Sequence, residues 1–151
     1  MYDIVILTTA CSRSKLHAAV LTSIPKFLSG YKCKWIIRVD QLLDETAEDT
    51  IKALHHILES EHIDLDIYSS DRDASRISWF KTTKFCINKG FEYKPKLGYL
   101  WLEDDWHLTT DKSLKVLIES SISELPSDNY YISLAGRDLL NFNPCIWSPD
   151  L

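Results

Sequence analysis

The sequence predicts an α/β domain whose mostly parallel sheet is covered by helices on both faces. Short apolar runs alternate with helix-type segments along the chain. The runs are apolar at successive positions, which is typical of strands buried on both faces. The segments between them are long enough for right-handed crossovers, which join parallel strands.

The first half of the chain supplies two strands and two helices. "DIVILTT" (3–9) predicts a buried strand, and "KLHAAVLTSIPKFLSG" (15–30) predicts a helix that ends at Gly30 and is disturbed by Pro25. "KWIIRVD" (34–40) predicts the second strand. "TAEDTIKALHHILES" (46–60) predicts a helix, because a threonine cap and acids in the first turn precede an apolar stripe.

The second half repeats the alternation. "DLDIYSSD" (64–71) predicts the third strand and "DASRISWFKTTKFCINKG" (73–90) the third helix, which an aspartate caps and a glycine closes. "LGYLWLE" (97–103) predicts the fourth strand, "TDKSLKVLIESSISEL" (110–125) the fourth helix, and "NYYISLAG" (129–136) the fifth strand.

Length and charge limit the class of protein. The 151 residues, 45% of them hydrophobic, suffice for one domain with its own core, so we expect a single domain over 1–151. The net charge of −5 argues against a nucleic-acid partner bound through a broadly basic surface.

The cysteines and the first residues predict a cytoplasmic protein. Four cysteines (Cys11, Cys33, Cys86 and Cys145) lack metal-ligand spacing and fit thiols in a reducing compartment. The apolar part of "MYDIVILTTA" is too short for a signal peptide or a transmembrane segment and has no basic residues before it.

In parallel sheets ligands bind beyond the carboxyl ends of the strands, and this rule selects candidate residues. The residues at the predicted strand ends are Thr8, Thr9, Cys11 and Arg13, then Asp40, then Ser70, Asp71, Arg72 and Asp73, and finally Glu103, Asp104 and Asp105.

The acids at this edge predict a divalent cation. Three adjacent carboxylates after an apolar strand repel one another and need a positive partner. Oxygen ligands suit Mg²⁺ or Mn²⁺, and Mg²⁺ usually takes one or two carboxylates plus substrate phosphates. Basic side chains could meet the same phosphates from the other side, and the candidates are Arg13, Arg72, Arg76, Lys81 and Lys84.

Each feature also has a simpler interpretation. Acids at a strand end are often a solvated turn, Asp40 alone could be a turn or cap residue, and the basic helix face could be exposed charge. The combination is what indicates a site. The chain has no GxGxxG and no GxxxxGK[ST] sequence, which disfavours Rossmann dinucleotide binding and P-loop chemistry.

Two other groupings are weaker candidates. His55, Glu59 and His62 would share a face only if the helix continued that far, and we favour a solvated helix flank over a zinc site. Cys11 has no histidine in a motif relation to it, and His17 belongs to the predicted helix, which disfavours nucleophilic catalysis.

Several segments resemble the nucleotide-sugar glycosyltransferases of the GT-A fold. "DIVILTTACSRSKLHAAVLTSI" resembles their opening strand and helix, and "KWIIRVDQ" is similar to their second strand, which ends on an aspartate. "YLWLEDDWHL" is similar to their metal-binding DxD strand, in the "LEDDW" form of some family 2-like members, and "FNPCIW" resembles a downstream segment. The resemblance covers nearly the full length, and Glu103 replaces the first aspartate of the motif.

The resemblance implies a GT-A-like α/β/α sandwich that transfers a sugar from a nucleoside-diphosphate sugar to a carbohydrate or glycan acceptor with Mn²⁺ or Mg²⁺. It implies that Asp40 contacts the nucleoside, that Asp105 and Glu103 hold the metal, and that arginines face the diphosphate. The residues assigned to substrate are Thr8, Thr9, Arg13, Asp40, Asp71, Arg72, Arg76, Glu103 and Trp106. The residues assigned to catalysis are Asp104, Asp105 and Asp138, with Asp150 a second candidate for a carboxylate base.

Alternatives stay open at this point. The family's domain usually runs well past 151 residues, so this is either a compact domain or one whose C-terminal acceptor part is absent. A metal-dependent nucleotidyltransferase would usually show glycines after the first strand, and "TTACSRSK" has none. A binding domain without turnover is the other alternative.

Overall fold

The fold is seen in a computed structural model that describes residues 1–41, 45–70, 76–106, 108 and 112–122, without the side chains of 76–78 and 120–122. Nine elements follow one another in these described segments. They are β1 (Ile4–Cys11), α1 (Ser14–Val20), α2 (Ile24–Phe27), β2 (Cys33–Asp40), α3 (Ala47–Leu58), β3 (Ile63–Ser69), α4 (Arg76–Gly90), β4 (Gly98–Trp101) and α5 (Leu114–Ile122).

The four described strands form one parallel sheet, and parallel pairing is what the sequence predicted. Their order in the sheet is β3-β2-β1-β4. The chain moves from β1 outward to β2 and β3, then returns to the other side of β1 for β4. The direction of winding therefore reverses between β1 and β4. Such a switch point opens a crevice at the carboxyl ends of the strands, which is where ligands bind in open α/β sheets.

Helices cover both faces of the sheet. The larger core lies on one face, where Ile6, Trp35 and Ile37 pack with residues of α2, α3 and α5. The opposite face is covered by α4, with a small apolar cluster of Val5, Leu7, Ile36 and Cys86. Gly90 at the end of α4 must be small, because a Cβ there would lie 2.6 Å from Leu7 Cδ2.

The predicted helix over 15–30 is wrong in one respect. The segment forms two short helices, α1 and α2, and Pro25 lies in the first turn of α2. Proline has no N–H and clashes with the preceding turn inside a helix, so a new helix begins there instead. The predicted fifth strand (129–136) lies outside the described residues.

The other predicted elements are confirmed with shifted bounds: β1 and β2 are each one residue longer than predicted, and the described parts of the others are shorter. Thr46 caps α3 through a bond from Asp49 N–H to its hydroxyl at 3.2 Å. This helix ends at Leu58, before Glu59 and His62, so the helical face that the zinc alternative needed is not formed. Of the helices in the described part of the chain, none is both long and apolar enough to cross a membrane.

Candidate functional site

An open cleft of about 300 Å³ lies at the carboxyl edge of the sheet, at the β1/β4 switch point. Parallel pairing places Cys11 beside Asp40, and Leu7 beside Trp101. Residues from the ends of β1, β2 and β4, and one from α4, therefore converge there. The lining consists of Thr9, Ala10, Cys11, Arg13, Asp40, Trp79, Glu103, Asp104 and Asp105.

Buried Thr8 joins β1, β2 and the end of β4 beneath this cleft. Its hydroxyl donates to the carbonyl of Leu102 at 2.6 Å and accepts from Trp35 Nε1 at 2.9 Å. The Leu102 N–H also bonds to the Leu7 carbonyl at 3.0 Å. These bonds hold the acids that follow Leu102 against the end of β1. Thr8 itself is 1% exposed and is not among the residues that line the cleft, so its predicted substrate contact has no support in this arrangement.

The three adjacent acids occupy three different environments. Asp104 is only 5% exposed, and its carboxylate accepts bonds from the Cys11 N–H at 3.1 Å and from Arg13 Nη2 at 2.8 Å. His17 Nε2 lies 2.8 Å from the same Asp104 oxygen that Cys11 reaches. Asp104 is thus enclosed by three partners.

Burial acts to raise the pKa of Asp104, but the bonds from His17, the Cys11 N–H and Arg13 outweigh it and lower that pKa. The carboxylate is therefore stabilised in its charged form inside the protein. Its role is first to join β1, α1 and β4, and its predicted catalytic role stays a prediction.

Glu103 and Asp105 are less enclosed than Asp104, and both line the cleft. Glu103 accepts from Trp101 Nε1 at 2.5 Å with one oxygen, and Thr9 Oγ1 lies 3.3 Å from its other oxygen. The Asp105 side chain is 52% exposed, and its salt-bridge partner among the described residues is Arg13, whose Nη2 lies 4.0 Å from Oδ2. In the described structure, Asp104 is neutralised inside the protein, Glu103 is hydrogen-bonded and Asp105 faces water.

Asp40 stands at the end of β2, on the opposite wall. The hydroxyls of Ser70 and Thr82 both donate to its Oδ1, the second at 2.7 Å. Neither hydroxyl therefore occupies Oδ2. Two neighbouring elements, the end of β3 and α4, fix the direction of this carboxylate.

Trp79 is a lining residue that the sequence analysis did not identify. It lies in the first turns of α4 and remains 57% exposed, although it is a large apolar side chain. Its position soon after the third strand was the only available signal, because periodicity does not separate a cleft-lining tryptophan from a core one. An exposed indole face beside carboxylates suits stacking with a planar ring or a sugar.

The remaining predicted residues have mixed outcomes. Trp106 packs against the larger core instead of lining the cleft. The structure places Arg76 at the start of α4 without describing its side chain. Asp71, Arg72, Asp138 and Asp150 lie outside the described residues.

Cys11 lines the cleft but is poorly suited to nucleophilic attack. Burial, followed by the charge of Asp104, raises the pKa of its thiol. The reactive form of cysteine is the thiolate, which this environment disfavours. That Cys11 is not a nucleophile stays a prediction, and this environment favours it.

The described side chains fit a divalent cation that takes most of its coordinating oxygens from a bound phosphate compound and from water. No three His, Cys, Asp or Glu side chains in the described part of the chain converge as a metal-binding group. Among the described residues, no cation lies closer than 4.0 Å to Asp105, and Glu103 accepts bonds from the uncharged Trp101 and Thr9. Mg²⁺ commonly takes one or two carboxylates and fills its remaining positions with phosphate oxygens and water, so this donor set fits such an ion when phosphate is present.

Comparison of the chain with models of known protein families gives no match, and a search of curated protein sequences gives none either.

Proposed function

We propose that this chain is a GT-A-like glycosyltransferase domain that binds a nucleoside-diphosphate sugar with Mn²⁺ or Mg²⁺ and transfers the sugar to a carbohydrate or glycan acceptor. The observation that carries the proposal is the cleft at the β1/β4 switch point, where, among the described residues, one arginine faces the carboxylates of Asp40, Glu103, Asp104 and Asp105. This surplus of negative charge suits a ligand that is bound together with a cation.

The two walls of the cleft suggest how a nucleotide would lie. Asp40 Oδ2 is not engaged by Ser70 or Thr82 and can accept a bond from an N–H or hydroxyl donor of a nucleoside. Trp79 offers a ring face in the same cleft. The nucleoside is therefore proposed to lie toward β2 and α4, which leaves the diphosphate near Arg13 and the β4 acids.

Asp105 and Glu103 would hold the cation between protein and diphosphate. A divalent cation in this position neutralises the negative charge that develops on a departing diphosphate. Arg13 contributes a fixed positive charge from the β1 side, since its guanidinium lines the cleft and is already oriented by Asp104. An inverting transfer would further need a carboxylate base, for which Asp138 remains the proposed residue.

The decisive experiment is calorimetric titration of ADP, GDP, CDP and UDP with and without Mn²⁺, on the wild type and on Asp105→Asn. Because metal and diphosphate share ligands, each should strengthen binding of the other by the same factor. Asp105→Asn keeps the shape but removes one charge, so it should abolish the strengthening by Mn²⁺. Glu48→Gln is the matched control, because Glu48 is a highly exposed acid on α3 that pairs only with Lys52 among the described residues.

A wild type whose nucleotide affinity ignores Mn²⁺, or a coupling that survives in Asp105→Asn, would contradict the metal role. Turnover then separates the alternatives. Release of free sugar and nucleoside diphosphate from a nucleotide sugar supports the transferase. Release of pyrophosphate from a nucleoside triphosphate would indicate a nucleotidyltransferase, and binding without any product would indicate a binding domain.

A further inference from the structure

His17 is a completely buried imidazole that none of the proposed chemistry uses. It lies on α1 with 0% exposure, one helical turn after Arg13, whose carbonyl accepts the His17 N–H at 3.1 Å. This spacing places both side chains on the same side of the chain, toward Asp104. Burial of a polar ring is costly unless it makes a specific bond, so its partner is informative.

The ring makes one bond, to a carboxylate of the cleft. His17 Nε2 lies 2.8 Å from Asp104 Oδ2, while Nδ1 has no partner in the described structure. A carboxylate oxygen accepts, so Nε2 is the nitrogen that carries the hydrogen. The imidazole is thus a buried donor aimed at the oxygen that also receives the Cys11 N–H.

Arg13 holds the other oxygen of Asp104. Its Nη2 donates to Oδ1 at 2.8 Å, whereas its Nε is buried without a partner in the described structure. The Arg13 side chain is 36% exposed and lines the cleft. The direction of the guanidinium therefore depends on the direction of the Asp104 carboxylate. That carboxylate is in turn held by the bonds from His17 and the Cys11 N–H to its second oxygen.

We propose that His17 is a positioning residue for the cleft: through Asp104 it fixes the Arg13 guanidinium in the direction that meets a phosphate of the ligand. This inference rests on the proposed function for its ligand, a nucleoside diphosphate. A general contribution to core stability would affect the whole cleft. The positioning role instead predicts that removing His17 frees the Arg13 guanidinium and weakens binding of the diphosphate part of the ligand.

The test compares three substitutions. His17→Leu removes the donor at similar size, and His17→Gln places an amide N–H near the position of Nε2. His17→Asn is too short to reach Asp104 and replaces the leucine variant if that one does not fold. His62→Leu is the matched control: this partly buried histidine bonds to Ser60 and to the Pro25 carbonyl at the opposite end of the sheet.

The first readout needs no ligand. The Arg13 Nε–H should give a signal in ¹⁵N-edited NMR spectra that is protected from exchange with solvent, because the atom is buried. The signal is assigned by its absence from the spectrum of Arg13→Lys. His17→Leu (or His17→Asn) should lose that protection, whereas His17→Gln and His62→Leu should keep it. Unchanged protection in folded His17→Leu or His17→Asn would overturn the proposal, whatever the protein binds.

The second readout uses calorimetry with Mn²⁺ and the nucleoside diphosphate that binds most tightly, alongside its parent nucleoside. His17→Leu should weaken diphosphate binding about 10-fold, the equivalent of one charge-assisted hydrogen bond, and nucleoside binding less than about 2-fold. His17→Gln should recover most of the affinity. Equal losses for both ligands would mean a merely structural role. If the wild type binds no diphosphate, the proposed function fails, and the NMR readout alone decides the role of His17.

Discussion

The two ends of the sheet each carry a cluster of charged side chains around a single central cation, but their charges are balanced differently. At the amino end, Lys34 is surrounded by Tyr2, Asp64, Asp66 and Tyr93, which together form the amino-edge cluster. At the carboxyl end, Arg13 faces Asp40 and Glu103–Asp105, which form the carboxyl-edge cluster.

The amino-edge cluster is closed. Lys34 is 4% exposed, and its Nζ lies 2.8 Å from Asp66 Oδ1 and 3.1 Å from Asp64 Oδ1. Burial acts to lower the pKa of Lys34, but the bonds to these two aspartates outweigh it and raise that pKa. The hydroxyls of Tyr2 and Tyr93 donate to the other carboxylate oxygens, Oδ2 of Asp64 and Oδ2 of Asp66. Each carboxylate oxygen of Asp64 and Asp66 therefore has a partner inside this cluster.

The carboxyl-edge cluster has a surplus of acid. Among the residues that line the cleft, one guanidinium faces four carboxylates, and only Asp104 is fully enclosed. Such an arrangement is unfavourable without a cation, because the remaining carboxylates are not neutralised within the protein. The two clusters carry similar charged groups and differ in how the described charges are balanced, which is why we propose the carboxyl-edge cluster as the site.

The largest effect should come from Asp104→Asn. All three partners of Asp104 donate hydrogen bonds, and an amide has only one acceptor oxygen, so at least one donor would face an NH₂ group. We expect a loss of about 3 kcal/mol in the free energy of unfolding, measured with urea. Asp66→Asn in the amino-edge cluster is the control and should cost less than about 1 kcal/mol, since Asp66 is less buried. Equal costs would remove the distinction between the enclosed Asp104 and the amino-edge acids.

A somewhat smaller loss is expected for Lys34→Met. The substitution keeps the apolar stem but leaves two partly exposed aspartates without their shared cation, which should cost about 2 kcal/mol in urea unfolding. Nucleoside diphosphate affinity should not change, because the amino-edge cluster lies at the other end of the sheet. A change in that affinity would show that the two clusters are coupled.

The acid dependence of stability should depend on Asp104. Its pKa is lowered on folding, so the unfolded chain binds the proton more readily. The stabilisation is therefore fully present above the unfolded pKa of about 4 and is lost as the pH falls through the lower folded value. The difference in unfolding free energy between wild type and Asp104→Asn should shrink when urea titrations at pH 6 are repeated at pH 4 and pH 3. A constant difference would mean that the Asp104 carboxylate charge contributes nothing.

The smallest effect on stability should be that of Asp105→Asn. This side chain is half exposed and has only a distant contact with Arg13, so the unfolding free energy should stay within about 0.5 kcal/mol of the wild type. Thermal and urea unfolding without metal provide the measurement. A large loss would mean that Asp105 is a structural residue like Asp104 and would weaken its assignment as a metal ligand.

The sequence by itself determined the order of strands and helices and the sheet edge at which the acids collect. Apolar runs such as Ile4–Leu7 and Trp35–Ile37 are buried on both faces of the sheet. Such runs can be read from the sequence before the tertiary contacts are known. The end-of-strand rule then brought Asp40 and Glu103–Asp105 to one cleft. These inferences succeeded because periodicity and strand direction are properties of the local chain.

Only the tertiary structure decided what each of those acids does. The letters "EDD" do not show that Asp104 turns inward to His17 and Arg13, about 90 positions earlier in the chain, while Asp105 faces water. Nor do they show that Trp79 lines the cleft or that Thr8 lies beneath it. Hydrogen-bond partners and burial arise from contacts between segments distant in sequence. A carboxylate that is neutralised inside the protein and one that is free to bind a cation therefore look the same in the sequence and differ only in the fold.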